Sequence, residues 1–191
     1  GAQLLRLAQS VQDPALLVPA QNVLGQTLYF LGEFVPAREH IEQGIAVYDP
    51  QKHHSLASLY GTDQGQHCSV FAAYILWNLG YPDQALRRIH EALTLTREYS
   101  HPFSKAFVLN GVAVVHWLRG EVQVTQEWAE RVIALCTEQG FAPLLALGIL
   151  QRGRALTEQG QGEEGIAQIR HGITASRASG GVMGRPFQLA L

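Results

Sequence analysis

Apolar positions along the chain recur at helical spacing in paired segments, and each pair is joined by a short turn built on glycine. Leu31-Gly-Glu-Phe-Val-Pro-Ala-Arg-Glu-His-Ile-Glu-Gln-Gly-Ile45 is one such joint, and Leu79-Gly-Tyr-Pro-Asp-Gln-Ala-Leu-Arg-Arg-Ile-His-Glu-Ala-Leu93 is its counterpart. Leu118 to Val132 and Gln159 to Ile173 repeat the design. Glycine ends one helix and the next starts within a few residues, with Pro36 and Pro82 suited to a first helical turn. The pattern predicts helical hairpins over about 14–48, 65–99, 102–138 and 143–176, a partial helix over 1–12, and the start of another at 185–191. At the joints, Ser100 and Pro102 supply a cap and a first-turn proline, as Asp13 and Pro14 do.

Small residues keep a strict register through these hairpins. Gly25, Ala73, Ala113 and Gly153 fall 48, 40 and 40 residues apart on the first helices. Ala37, Ala85, Thr125 and Gly165 follow each of them by 12 residues on the second helices, and Gly44, Ala92, Val132 and Gly172 follow 7 residues later. Small side chains at matched places let helices approach closely, while Ile41, Ile89 and Ile169 fill the space between them. A fixed period decides architecture before any single residue does. The expected fold is all-α: a right-handed superhelix of stacked antiparallel helical hairpins. Residues 49–64 make the one irregular connection, and His54 to Tyr60 within it has helical spacing, so a short extra helix is expected there.

The order small, eleven residues, alanine, three residues, large apolar, two residues, small resembles that of tetratricopeptide repeats, over almost the whole chain. The unit here runs to 40 residues where that family ordinarily has about 34. Longer units of this kind resemble the repeats of maltose-activator-type transcription regulators. They also resemble the C-terminal arrays of bacterial signalling proteins that pair a cyclase or kinase with an ATPase module; phrases such as Leu-Gly-Tyr-Pro-Asp-Gln-Ala, Tyr-Asp-Pro-Gln and Ser-His-Pro-Phe carry that likeness. The resemblance implies a non-enzymatic protein-interaction or regulatory scaffold within a multidomain bacterial signalling protein. The alternative it leaves open is a small-molecule effector-binding sensor, its pocket closed by the 49–64 insertion. The implied partner is a protein or peptide, another domain of the same polypeptide among the candidates.

Composition narrows the partners further. Net charge is −2 and only 16% of residues are charged, so there is no basic field to hold a phosphate backbone or an anionic bilayer; nucleic acid and membrane are not expected as partners. The longest apolar run, Ala142 to Leu150, contains a proline and is about half the roughly 20 residues that span a bilayer. A cytoplasmic location is the default expectation. Cys68 and Cys136 occupy non-equivalent repeat positions and read as buried free thiols. Beginning at Gly1 and stopping just after Arg185-Pro186 opens a helix, the chain reads as a single repeat domain cut from a longer protein, with apolar ends that could self-associate.

No catalytic, metal or cofactor site is expected. Gly160-Gln-Gly162-Glu-Glu-Gly165 matches the dinucleotide fingerprint, but a helix leads into it where a strand is required, and Glu163 and Glu164 would repel phosphates. His53, His54, His67 and Cys68 lack the spacing that sets two ligands on one helix face. The informative residues lie on the first helices. Carried over by register, the concave face of a tetratricopeptide solenoid would present Asn22, Gln26 and Tyr29, then His67, Tyr74 and Trp77, then Phe107, Asn110 and Trp117, then Arg154. Tyr29, Trp77 and Trp117 share one register and could form an aromatic ladder for an extended peptide or a partner helix. The same three could instead pack between neighbouring hairpins.

Overall fold

The computed structural model describes residues 2–11, 14–99 and 101–179. Its regular elements are all helical. They are α1 (Ala2–Val11), α2 (Pro14–Phe30), α3 (Phe34–Val47), α4 (Pro50–His53), α5 (Ala57–Tyr60), α6 (Gln64–Asn78), α7 (Pro82–Glu98), α8 (Pro102–Leu118), α9 (Val122–Gln139), α10 (Ala142–Glu158) and α11 (Gly162–Ala178). A 3-10 turn, His54–Leu56, joins α4 to α5, so the 49–64 connection is helical as expected. The helices follow one another in pairs through short turns, α2–α3, α6–α7, α8–α9 and α10–α11. The helix expected at 185–191, and the capping roles of Asp13 and Ser100, lie outside the described residues.

All four hairpin turns are built alike. Gly32, Gly80, Gly120 and Gly160 have φ of +81°, +85°, +73° and +84°, a left-handed conformation that glycine adopts without steric cost. Each glycine N–H bonds the carbonyl of Tyr29, Trp77, Trp117 or Thr157, three residues back, at 2.9–3.1 Å. The N–H of the following residue, Glu33, Tyr81, Glu121 or Gln161, reaches back five residues at 2.9–3.0 Å, which completes a Schellman stop. That residue is also the N-cap of the second helix, since its carbonyl accepts from the N–H four residues on, that of Ala37, Ala85, Thr125 or Gly165. One residue thus ends one helix and starts the next. Pro36 does not open α3 as the sequence suggests; the helix begins at Phe34, and Pro36 stands at its third position, where a missing N–H is harmless.

Two compact units divide the chain, Gly1–Val108 and Leu109–Leu191. In the first, α2 packs on α1 and α3, and α6 packs on α2, α3 and α7. Its core joins Ala37 and Ile41 of α3 to Cys68, Phe71, Ala72 and Ile75 of α6, with Leu28, Tyr29, Phe34 and Phe107 packed around them. In the second, α10 packs on α9 and α11. The matched small residues are where backbones meet: a Cβ on Gly153 would lie 2.8 Å from the Gly165 carbonyl oxygen and 2.9 Å from the Ile169 nitrogen. On Gly25 it would strike Ile41 Cδ1 at 2.6 Å. Both cysteines are buried free thiols.

Close approach and helix propensity make opposite predictions for two neighbouring glycines. Gly153→Ala should destabilise by about 1–3 kcal/mol, because backbone atoms of α11 stand where the methyl would go. Gly162, at the start of α11, has nothing within 4 Å of the place a Cβ would occupy, so Gly162→Ala should be neutral or stabilise by up to about 1 kcal/mol. Urea melts of both variants check the pair; equal effects would show that the register of small residues does not set the α10–α11 distance.

Candidate functional site

The first unit brings three of its seven expected face residues, Asn22, Gln26 and His67, into one polar chain. Asn22 of α2 donates from Nδ2 to Gln64 Oε1 at 2.7 Å and accepts at Oδ1 from Gln26 Nε2 at 2.7 Å. Gln26 Nε2 also stands 3.3 Å from His67 Nδ1 on α6. An amide nitrogen can only donate, so Nδ1 accepts and the neutral ring carries its hydrogen on Nε2. The imidazole stacks on Phe107, centroids 3.7 Å apart and planes 14° off parallel, and burial pushes its pKa down to about 4. Asn22 is 2% exposed, whereas Gln26, His67 and Phe107 keep part of their surface in water. This relay is uncharged at neutral pH, and Gln64, which completes it, was not among the sequence candidates.

Beside it lies an aromatic cluster. The Tyr29 ring has Phe30, Phe34, Phe71 and Tyr74 around it, with centroids at 5.3, 5.8, 5.5 and 6.2 Å. Burial raises the pKa of Tyr29, against the pull of the Asn78 side chain, as it raises that of Tyr74. Trp77, the penultimate residue of α6, is half-buried. Phe30 and Leu31, at the adjoining turn, are 47% and 70% exposed.

The second unit holds Asn110, Trp117 and Arg154. Arg154 is 3% exposed; its guanidinium lies 4.2 Å from the centre of the Trp117 ring, and Nη1 donates to Gln151 Oε1 at 3.0 Å. Burial pulls its pKa down to about 10, against the opposing pull of Glu158. Trp117 Nε1 donates to Glu158 Oε1 at 3.2 Å. Asn110 is 5% exposed, and its Oδ1 is buried without a hydrogen-bond partner. Near the α8–α9 turn His116 bonds Glu121, which Arg119 Nε also holds at 2.8 Å; these bonds, that of Arg119 first, keep the Glu121 carboxyl below the usual range.

A further polar cluster ties the 49–64 insertion down. Tyr48 donates to Asp63 Oδ2 at 2.6 Å, Asp63 Oδ1 caps α6 through the Gln66 N–H at 2.9 Å, and the Asp63 N–H donates to Ser104 Oγ at 2.7 Å. Ser104 Oγ lies 3.0 Å from His101 Nδ1, the cap of α8. Serine, histidine and aspartate are all present, yet the carboxylate faces Tyr48 and Gln66, and Ser104 is 1% exposed, so no relay to an accessible nucleophile exists in this cluster. The insertion and α2 enclose about 10 Å³ between Ala15, Tyr48, His53, Tyr60 and Gln64, room for one water. The histidines the sequence singled out are dispersed: His53 Nδ1 accepts from the Asp49 N–H, and His54 Nδ1 lies 2.8 Å from the Pro50 carbonyl. Among the described residues no three His, Cys, Asp or Glu side chains meet as metal ligands would. No described helix is long and apolar enough to cross a membrane.

With this geometry the chain is a TPR-like helical-repeat protein in fold. Residues 66–95 match the family model described as Tetratricopeptide repeat. Among solved structures it is similar to aspartyl phosphate phosphatase F from Bacillus subtilis, at TM-score 0.69 and 13% identity over 89% of this chain and 43% of that one. It is similar to a Podosopora anserina putative kinesin light chain with nearly identical TPR-like repeats, at TM-score 0.63 and 18% identity over 93% of this chain and 82% of that one. A Rap protein complexed with competence and sporulation factor matches at TM-score 0.54 and 12% identity, over 92% of this chain and 58% of that one. The chain therefore spans less than half of the phosphatase's length. No curated protein sequence matches it.

The depressed His67 pKa fixes a sign. Folding favours the neutral ring, so this contribution to stability is complete above the ordinary value of 6.5 and is lost as pH falls from there through about 4. His67→Gln should flatten the fall in stability across that window, measured by denaturant melts at several pH values; an unchanged slope would mean that the imidazole titrates as it does in water.

Proposed function

We propose that the chain is a non-enzymatic protein-interaction scaffold that presents the first-helix faces of its hairpins to a protein or peptide. The observation that carries this reading is the uncharged relay Asn22–Gln26–His67, fixed by Gln64 and Phe107 and flanked by partly exposed aromatics, in a fold of the TPR-like interaction class. Preset amide and imidazole groups can exchange their mutual bonds for those of a peptide backbone, and half-buried aromatics contribute disproportionately to recognition. The half-buried Trp77 in the first unit and Trp117 in the second are the anchors we assign. Asn110, with its buried Oδ1 unpartnered, offers the second unit an acceptor for a partner's N–H.

The complex of a Rap protein with a competence and sporulation factor supports a protein-type or peptide-type partner for this fold. The Bacillus neighbour gives some support to a setting in bacterial signalling, and with it a cytoplasmic location. The alternative, an effector pocket closed by the insertion, finds little support, because the insertion packs down to about 10 Å³ while pockets for small ligands run to roughly 300–1,000 Å³. Self-association belongs to the same proposal: Leu4 and Leu7 of α1 are 37% and 57% exposed, and Ile166 of α11 is 46% exposed.

Peptides selected from a displayed random library against the folded chain test the site. Gln26→Ala and Trp77→Ala should each weaken a selected peptide by about tenfold, with helicity retained, while Trp128→Ala on α9 should not. Loss of binding only in the Trp128 variant would move the site to the other face. Light scattering after size exclusion should give a mass that rises with concentration; a strict monomer at every concentration removes the self-association part.

A further inference from the structure

On a different surface of the first unit, the cleft between α3 and α7 gathers several charged side chains. It has a volume of about 140 Å³ and is lined by Arg38 and Glu42 of α3, Gln84, Arg87, Arg88 and Glu91 of α7, and Leu76 of α6 beneath them. Arg38 and Glu42 are one turn apart, and Gln84, Arg87, Arg88 and Glu91 follow helical spacing, so both sets face the same gap. Arg88 is fully engaged: Nη2 donates to both Glu42 oxygens at 3.1 and 3.2 Å, and Nη1 to Glu91 Oε2 at 3.3 Å. That bridge across the helices sets two carboxylates against one guanidinium. Arg38, 5.8 Å from the centre of the Tyr81 ring, and Arg87, with no partner among the described residues, bring the lining to three guanidiniums against two carboxylates. The cleft is thus locally positive on a chain whose net charge is −2.

We propose that this cleft binds a small oxyanion of the phosphate type. Guanidinium groups present planar pairs of N–H donors that match tetrahedral oxyanions, and those of Arg38 and Arg87 line this cleft together with the Gln84 amide. The Glu42–Arg88–Glu91 bridge spans the two walls and offsets part of the carboxylate charge that would otherwise repel the ligand. Leu76, 3% exposed, floors the cleft and limits water from below, which strengthens charge interactions above it. The site is independent of the first-helix face and stands or falls separately from it.

The test is calorimetric titration of the whole chain at low ionic strength with inorganic phosphate and, in parallel, with a short peptide carrying one phosphoserine. Saturable binding of either is expected, weakened about tenfold by Arg87→Gln and further by Arg38→Gln with Arg87→Gln, while Lys105→Gln leaves it unchanged. Tighter binding of the peptide assigns the anion to a modified partner protein; equal or tighter binding of inorganic phosphate assigns it to a free ligand. Arg87 is exposed, so its variant should melt like the parent and a loss of binding cannot be put down to unfolding. No saturable heat with either probe, or heat that the two substitutions leave intact, overturns the proposal.

Discussion

Close backbone approach at matched small residues is the constraint on which the rest depends. It requires Gly25 against Ile41, Gly153 against Gly165 and Ile169, and Gly172 against Leu150 and the Ala146 carbonyl. Helices that near each other leave the first helix of a hairpin with little surface of its own. α6 buries ten residues, from Gly65 through Leu76, whereas α7 buries only Ala85, Ile89, Ala92 and Thr96. The first helices therefore read as apolar almost all round and the second as amphipathic. A polar side chain buried on a first helix is enclosed by neighbours, and its partners have to come from among them.

That requirement explains the chemistry of the candidate face. Asn22, Gln66, Asn110 and Gln151 are nearly or fully buried on first helices, and an ionised group at such a place would carry a large desolvation cost. Neutral amides and a neutral imidazole meet the need at lower cost, and they do so by bonding each other across hairpins, as Asn22 with Gln64 and Gln26 with His67. Arg154 is the exception, and its environment is arranged for it: an indole face on one side and the Gln151 side-chain carbonyl accepting from Nη1. The same bonds that hold the hairpins together thus set the polarity any partner would meet.

The fold was legible in the sequence because its determinants are periodic. Glycine at the turn, a small residue on the first helix with others 12 and then 7 positions after it, and isoleucine between them each report a local geometric need, so Gly32, Gly80, Gly120 and Gly160 could be read without the structure. What could not be read are contacts set by tertiary approach. Gln64 and Gln66 look like solvent-facing first-turn residues, yet one completes the relay and the other donates to the Tyr99 carbonyl at 3.2 Å. Ser104 and Tyr48 gave no signal because the Asp63 that joins them is 41 and 15 residues away in sequence. Pro36 points to a start of α3 two residues too late, because proline is tolerated through the first turn and not only at its first position.

The ladder of Tyr29, Trp77 and Trp117 shows how equal register can give unequal roles. The carbonyl of each accepts the N–H of the turn glycine that follows, so their backbones are equivalent. Their side chains are not. Tyr29 sits among four aromatic rings, which makes it part of the packing of the first unit. Trp117 has its indole N–H committed to Glu158 and one face covered by Arg154, so a partner would gain stacking or edge contact but no new hydrogen bond from it. Trp77, half-buried near the end of α6, retains the combination that recognition uses best: a large apolar body already fixed by its helix, and a polar tip. Register therefore selects the candidates, and the neighbours each one has acquired decide how much of it a partner can use.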